Sequence, residues 1–179
     1  MFALQNFKRP SEECEHLFGM LRNHARDFLE KEQLSSKNIK VQFIGDRSYF
    51  PQDLKELFDH IEQMTKMATG LHLNLLFCYG AQEEIVNVCQ KIAYNVVQGI
   101  HNVGDITKSL FESYLWTHDT PFPDLIIRTG KTHRLSNFLL YQAAYSELYF
   151  SDCLWPEIDY IELEKAYAYF ETCARNFGK

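Results

Sequence analysis

The sequence predicts an α/β fold with a mainly parallel central sheet and helices on both faces. Three observations carry this prediction. Strand-like apolar runs at 39–43, 71–79 and 125–127 alternate with segments whose apolar residues recur at three- and four-residue steps. Such alternation implies right-handed crossovers between parallel strands. The run 71–79 is apolar at most positions, as in a strand buried on both faces. No repeat, low-complexity tract or linker interrupts the chain, so residues 1–179 read as a single domain.

Taken in order, Pro10 and Ser11 signal a helix start, and Glu12 and Glu13 suit the positive end of its dipole. Leu17, Met20, Leu21, His24 and Phe28 then form its apolar face, and 35–38 is a loop. Ile39, Val41 and Phe43 alternate up to Gly45-Asp46 and read as a strand. Pro51 opens the next helix, with Leu54, Leu57, Phe58, Ile61 and Met64 on one face and Gly70 as its stop. After the strand 71–79 and Gly80 comes a helix carrying Ile85, Val88, Ile92, Ala93, Val96 and Val97. Asp105 is expected to cap a short helix reaching Leu115. A strand ending at Arg128 follows, then a helix from about Leu135 and a Trp155-Pro156 turn. Asp159 caps a last helix with Leu163, Ala166, Tyr167 and Phe170 inward.

Composition excludes several classes. Apolar residues at 46% and charged residues at 23% are globular values. A net charge of −6 argues against general nucleic-acid binding and requires any phosphate chemistry to rest on a local basic site. Five scattered cysteines without a CxxC pair read as reduced buried thiols rather than a disulfide framework or zinc site. With no membrane-length apolar run and no signal-peptide pattern, a cytoplasmic protein is expected.

The richest stretch is 124–156. Arg128 ends a strand-like run, and Arg134 and Ser136 stand where a helix is predicted to open. Two guanidiniums and a hydroxyl at a helix N-terminus suit an anion. Glu147 lies among apolar and aromatic residues, where a carboxylate usually needs a partner or a metal. The residues alone leave plainer readings open: surface arginines in ion pairs, a glutamate reaching solvent, a frayed Asn6 and Arg9. The aromatic stripe Phe138, Tyr141, Tyr145, Tyr149 and Phe150 suits a core or a subunit interface. Gly130-Lys131-Thr132 is not a nucleotide-cradling loop, because Leu125 stands where its first glycine is required. The histidines contain no HExxH pair.

Several segments together resemble the cis-prenyltransferases. They are 123–129 (PDLIIRT), 133–140 (HRLSNFLL), 144–150 (AYSELYF) and 154–156 (LWP), joined by Ile44-Gly45-Asp46, Leu73-Asn74, Tyr79-Gly80 and 6–10 (NFKRP). The resemblance covers essentially the whole chain. It implies condensation of isopentenyl diphosphate onto an allylic diphosphate, usually farnesyl diphosphate, giving a polyprenyl diphosphate of the undecaprenyl type. It implies Mg²⁺, an apolar tunnel for the growing chain, a homodimer, and at most peripheral membrane contact through the lipid product.

By the same resemblance Arg128, Arg134 and Ser136 hold the diphosphate of isopentenyl diphosphate, with His133 and Leu135 beside them, and Glu147 is a Mg²⁺ ligand. Asn6 matches the catalytic residue that assists proton removal, best understood as positioning a water or a diphosphate oxygen. Ala3, Leu4, Gln5, Phe7 and Arg9 fall in the substrate-binding segment around it. Phe7 replaces the usual tryptophan, Ala3 and Leu4 replace common serines, and Gln5 replaces a common glutamate.

The family's Asp-Gly-Asn-Gly-Arg loop, which cradles the allylic diphosphate and carries its main catalytic aspartate, has no match here. The expectation is therefore a prenyl transferase by resemblance, N-terminally truncated because that loop, a central strand and the following helix are lacking, with the autonomous activity of these 179 residues left open. Lys131 and Thr132 replace a common Gly-Glu, and Asn176 replaces the arginine of a C-terminal Arg-x-Gly, with Arg175 adjacent. The alternatives to a synthase are a non-catalytic partner subunit and an inactive remnant.

Overall fold

The computed structural model describes residues 2–30 and 37–174. They fall in two compact units, Met1–Thr117 and His118–Lys179. Ser35, Ser36, Arg175 and Asn176, about which the sequence raised expectations, lie outside the described residues.

In the first unit, β1 (Phe2–Ala3), β2 (Ile39–Ile44) and β3 (Leu71–Tyr79) form a parallel sheet in the order β1-β3-β2. β2 takes one edge of β3 from Leu71 to Leu76, and β1 pairs at Phe77 and Tyr79. The apolar run predicted to be buried on both faces is buried only at its carboxyl end. Phe77, Cys78 and Tyr79 are buried, whereas Leu71, His72 and Leu75 are exposed.

Helix α1 (Ser11–Glu30) and helix α2 (Gln52–Thr65) supply the other side of this core. Phe43 stacks on Phe58 with ring centroids 3.7 Å apart, and Phe77 meets Phe58 and Phe50 edge-on. The stripe of α1 that packs inward is Cys14, Phe18 and Ala25, with Leu17 and Leu21 against it. Met20, His24 and Phe28, expected inward, are exposed. The small Cys14 and Ala25 let the helix come close to the core on that side, which rotates the predicted face.

Gly45 ends β2 with φ +153°, and a Cβ there would lie 1.9 Å from the Phe77 carbonyl oxygen. Only glycine permits this approach, over which the Asp46 N–H donates to Cys78 O at 3.1 Å. Helix α3 (Ala81–Val97) buries Val88 and Ile92, while Val97 is exposed. It also buries Glu84, whose carboxylate accepts the Tyr79 hydroxyl at 2.6 Å and the Trp116 N–H at 2.8 Å. Helix α4 (Lys108–Ser113) is capped by Thr107, not Asp105. Asp105 instead accepts the Asn102 N–H at 2.7 Å and closes a 3₁₀ turn.

The second unit contains β4 (Leu125–Arg128) and β5 (Glu147–Phe150), paired in parallel, and α5 (Tyr160–Thr172). All described strand pairs are thus parallel, in two sheets. Asp159 caps α5 as predicted, accepting the Glu162 N–H at 2.8 Å. Ala166 is buried and Phe170 half-buried, but Leu163 and Tyr167 are exposed rather than inward.

The helix expected from Leu135 does not form. Ser136, Asn137 and Leu139 adopt φ of 51°, 63° and 46°, which breaks any right-handed helix, and only a 3₁₀ turn, Gln142–Tyr145, follows. Leu148, Tyr149 and Phe150 are good strand formers, and pairing with β4 claims them for β5.

Candidate functional site

In the first unit, Ala3 ends β1 and a 3₁₀ turn, Leu4–Lys8, carries Leu4, Gln5, Asn6 and Phe7. The Asn6 carbonyl fixes this turn by accepting the Arg9 N–H at 3.0 Å and the Cys14 thiol at 3.4 Å. Gln5 donates to Glu83 at 3.1 Å, and the Phe7 ring lies against Phe18 and Tyr49. Arg9 is exposed and pairs with Glu13 at 3.7 Å. Asn6, Arg9 and His24 supply polar groups to a cavity of about 400 Å³, whose apolar walls include Leu17, Leu21, Phe43 and Phe77. The structure thus brings Asn6 and Arg9 together at one apolar cavity.

In the second unit, Arg128 ends β4 and its guanidinium turns back over the following loop. Nε donates to Thr132 Oγ1 at 2.7 Å, and Nη1 donates to Ser136 Oγ at 2.9 Å and to the Arg134 carbonyl. The loop is also held from outside, by Gly130 N–H to Cys153 O at 2.8 Å and Lys131 N–H to Ser151 O at 3.4 Å. His133 stacks on Phe150 at 4.8 Å, and Leu135 is half-buried.

The arrangement gathers Arg128, Lys131, His133 and Arg134 within seven residues of an otherwise acidic chain. Arg128 Nη2 and the exposed Arg134 guanidinium have no protein partner among the described residues. The Gly130 and Lys131 N–H groups are taken by Cys153 O and Ser151 O, so the donors left for an anion are the guanidiniums. The segment read from the sequence as an anion site is built differently from expectation. It is a guanidinium-closed loop, not a helix N-terminus.

A family model described as "Putative undecaprenyl diphosphate synthase" matches residues 1–178. The chain belongs to the cis-prenyltransferase family. A tritrans,polycis-undecaprenyl-diphosphate synthase (geranylgeranyl-diphosphate specific) of Thermoplasma volcanium is 39% identical over 178 residues, 99% of this chain and 69% of that protein. A ditrans,polycis-undecaprenyl-diphosphate synthase ((2E,6E)-farnesyl-diphosphate specific) of Acinetobacter baylyi is also 39% identical, over 99% of this chain and 71% of that one. Among solved structures, lavandulyl diphosphate synthase from Lavandula x intermedia, in complex with dimethylallyl diphosphate, superposes with a TM-score of 0.94. It is 35% identical and covers 99% of this chain and 76% of that one. The α/β fold with parallel strands is that of the cis-prenyltransferases.

For a cis-prenyltransferase, magnesium is the cofactor to be tested against the residues present. The carboxylate of Glu147 has the hard oxygen donors that Mg²⁺ takes. Its location is another matter. Glu147 pairs with Leu125, whereas Arg128 pairs with Phe150 at the other end of the ladder. Three residues of strand separate them by roughly 10 Å, and side-chain alternation puts them on opposite faces. Contacts agree: Phe150 meets His133, while Tyr149 meets Tyr169 of α5. Burial first, and then a hydrogen bond with Glu147, raise the Cys173 thiol above its ordinary value. No group of three or more His, Cys, Asp or Glu suited to a metal occurs among the described residues. Within this unit Glu147 is not placed to share a magnesium ion with a diphosphate at the Arg128 loop. Glu147, expected in a helical segment, instead opens β5 with its N–H on Asp124 O at 2.9 Å.

Sequence reasoning missed the groups that hold the loop. Thr132 was visible only as a departure from the family pattern, and Ser151 carried no signal. Glu162, a half-buried acid in the first turn of α5, carried a weak one.

Proposed function

We propose that this cis-prenyltransferase chain holds the diphosphate of isopentenyl diphosphate at the Arg128 loop. The cavity beside Asn6 then accepts the apolar chain of an allylic diphosphate. The observation that supports this most is the closure of the loop by Arg128 onto Ser136, which leaves the Arg134 guanidinium and Arg128 Nη2 for a ligand. Charge-assisted donors of this kind match diphosphate oxygens.

In such a condensation the C1–O bond of the allylic diphosphate breaks and diphosphate leaves. The double bond of isopentenyl diphosphate supplies the electrons of the new carbon–carbon bond, and a proton is then lost. Arg134, Arg128 and the Ser136 hydroxyl would orient the isopentenyl diphosphate, with His133 alongside. For Asn6 only the role implied by the family resemblance is proposed, placing a water or a diphosphate oxygen to receive a proton, since an amide is itself a poor base. Magnesium is assigned to the reaction as the family's usual cofactor. The primer stays at the level of an allylic diphosphate, because two equally similar relatives differ in the primer that their names specify.

The test is incorporation of radiolabelled isopentenyl diphosphate into butanol-extractable product, with farnesyl or geranylgeranyl diphosphate as primer, with and without Mg²⁺. Label that depends on both primer and metal is the expected result. No label with either primer, from protein that melts cooperatively, removes autonomous activity and leaves the partner-subunit reading. One observation favours association in either case: α5 leaves Tyr160 73%, Leu163 45% and Tyr167 60% exposed along one side, a face suited to a second copy. We assign a homodimer through it, to be checked by sedimentation equilibrium.

A further inference from the structure

We infer that Glu162 is a positioning residue for the Arg128 loop, acting through Ser151; this rests on the reading of that loop as a diphosphate site. Ser151 is 3% exposed, and its Oγ donates to Glu162 Oε1 at 2.6 Å. The Tyr149 hydroxyl donates to the same oxygen at 3.2 Å, and Lys165 holds the other at 3.1 Å. The Glu162 backbone is anchored in the first turn of α5, its N–H donating to Asp159 Oδ1 at 2.8 Å.

Ser151 then reaches both ends of the basic turn. Its N–H donates to Arg128 O at 2.7 Å, its carbonyl accepts the Lys131 N–H, and its Oγ accepts the Cys153 N–H at 3.2 Å. Cys153 O in turn accepts the Gly130 N–H at 2.8 Å. Gly130 and Lys131 sit at φ 91° and 59°. A left-handed lysine persists only when its surroundings hold it there. The support comes from α5: the carboxylate orients Ser151, Ser151 and Cys153 hold the turn, and the turn presents Arg128 and Lys131. Glu162 touches no ligand in this scheme.

The test uses the full chain and two readouts, amide hydrogen exchange by NMR and calorimetric binding of inorganic diphosphate. In Glu162→Ala and Ser151→Ala the Gly130 amide should exchange roughly tenfold faster, the size expected for loss of one charge-assisted hydrogen bond. The Leu148 amide in the β4–β5 ladder and the Val88 amide in α3 should stay as in wild type. Diphosphate binding should weaken about tenfold, the double variant should be no worse than Ser151→Ala, and Ser151→Thr, which keeps the hydroxyl, should behave as wild type. Unchanged Gly130 exchange in Glu162→Ala overturns the proposal, as does equal acceleration at Gly130 and Leu148. The milder Glu162→Gln, which preserves the side-chain shape, should shift Gly130 exchange in the same direction if Glu162→Ala fails to fold. Absence of diphosphate binding in wild type would instead remove the functional reading, while the exchange readout still decides the linkage.

Discussion

Arg128 donates Nη1 to Ser136 Oγ at 2.9 Å, across eight residues of sequence. With Nε on Thr132 and Nη1 also on the Arg134 carbonyl, one guanidinium sets the path of the whole basic loop. Arg128 thus shapes the loop and, in the proposed reading, also meets the ligand.

That double role makes a charge-conserving change insufficient. Arg128→Lys keeps the positive charge but cannot reach Thr132, Arg134 and Ser136 together, because an ammonium lacks the planar fork. Binding of isopentenyl diphosphate should fall at least about tenfold, from loss of hydrogen bonds to a charged group. Ser136→Ala, which removes one neutral partner, should cost about fivefold, near 1 kcal/mol. Isothermal titration calorimetry separates the two, and equal affinity for Arg128→Lys and wild type would refute the shaping role.

Gly45→Ala should destabilise the first unit strongly. The new methyl meets the Phe77 carbonyl at 1.9 Å, a backbone atom that cannot swing aside, at φ +153°. Overpacking of this kind typically costs 1–3 kcal/mol, and about 2 kcal/mol or more is expected here. A urea unfolding midpoint matching wild type would mean that β2 and β3 do not approach as described.

How far the sequence could be read is clearest from particular elements. The strand Leu71–Tyr79 was legible because one apolar run lies between two glycines, and the start of α5 because Asp159 stands shortly before a run of good helix formers, 162–166. The stretch after Leu135 was not. Leu135, Phe138, Leu139 and Leu140 have helical spacing, yet the Arg128 side chain and the pairing of β5 with β4 decide their conformation. Both are non-local and leave no periodicity. The basic residues of the candidate site are visible in the sequence, while their backbone support and the face occupied by Glu147 are not. Glu84 shows a readable signal that was passed over, since it shares the buried stripe of α3 with Ala81, Val88 and Ile92.

The Glu162 network should give the fold an acid-sensitive element. The Ser151 hydroxyl first, and then Lys165, hold the Glu162 carboxyl below its ordinary value. A carboxyl depressed on folding contributes stability above its unfolded pKa, and that contribution is lost as pH falls through the folded value. Urea midpoints should therefore drop on acidification below the usual carboxylate range, less steeply in Ser151→Ala. Parallel acid profiles for the two proteins would show that Ser151 does not hold the charge.

Cys78 should mark the alkaline side. Burial, and then the nearby Asp46, push its thiol up to about 12. It lies fully buried at the end of β3 with its sulfur 3.8 Å from Tyr49 O. An unfolded cysteine loses its proton near 8.5, so between that value and the folded one the native state binds more protons than the unfolded state. Stability must then fall as pH rises through this window, and Cys78→Ala should flatten the decline. Reactivity gives a second measure, because the thiolate is the nucleophile. In a pulse of alkylating reagent near pH 8, exposed Cys89 should be modified first and Cys78 only after unfolding, read peptide by peptide in a mass spectrum. Early labelling of Cys78 under native conditions would mean that the carboxyl end of β3 opens far more readily than its burial requires.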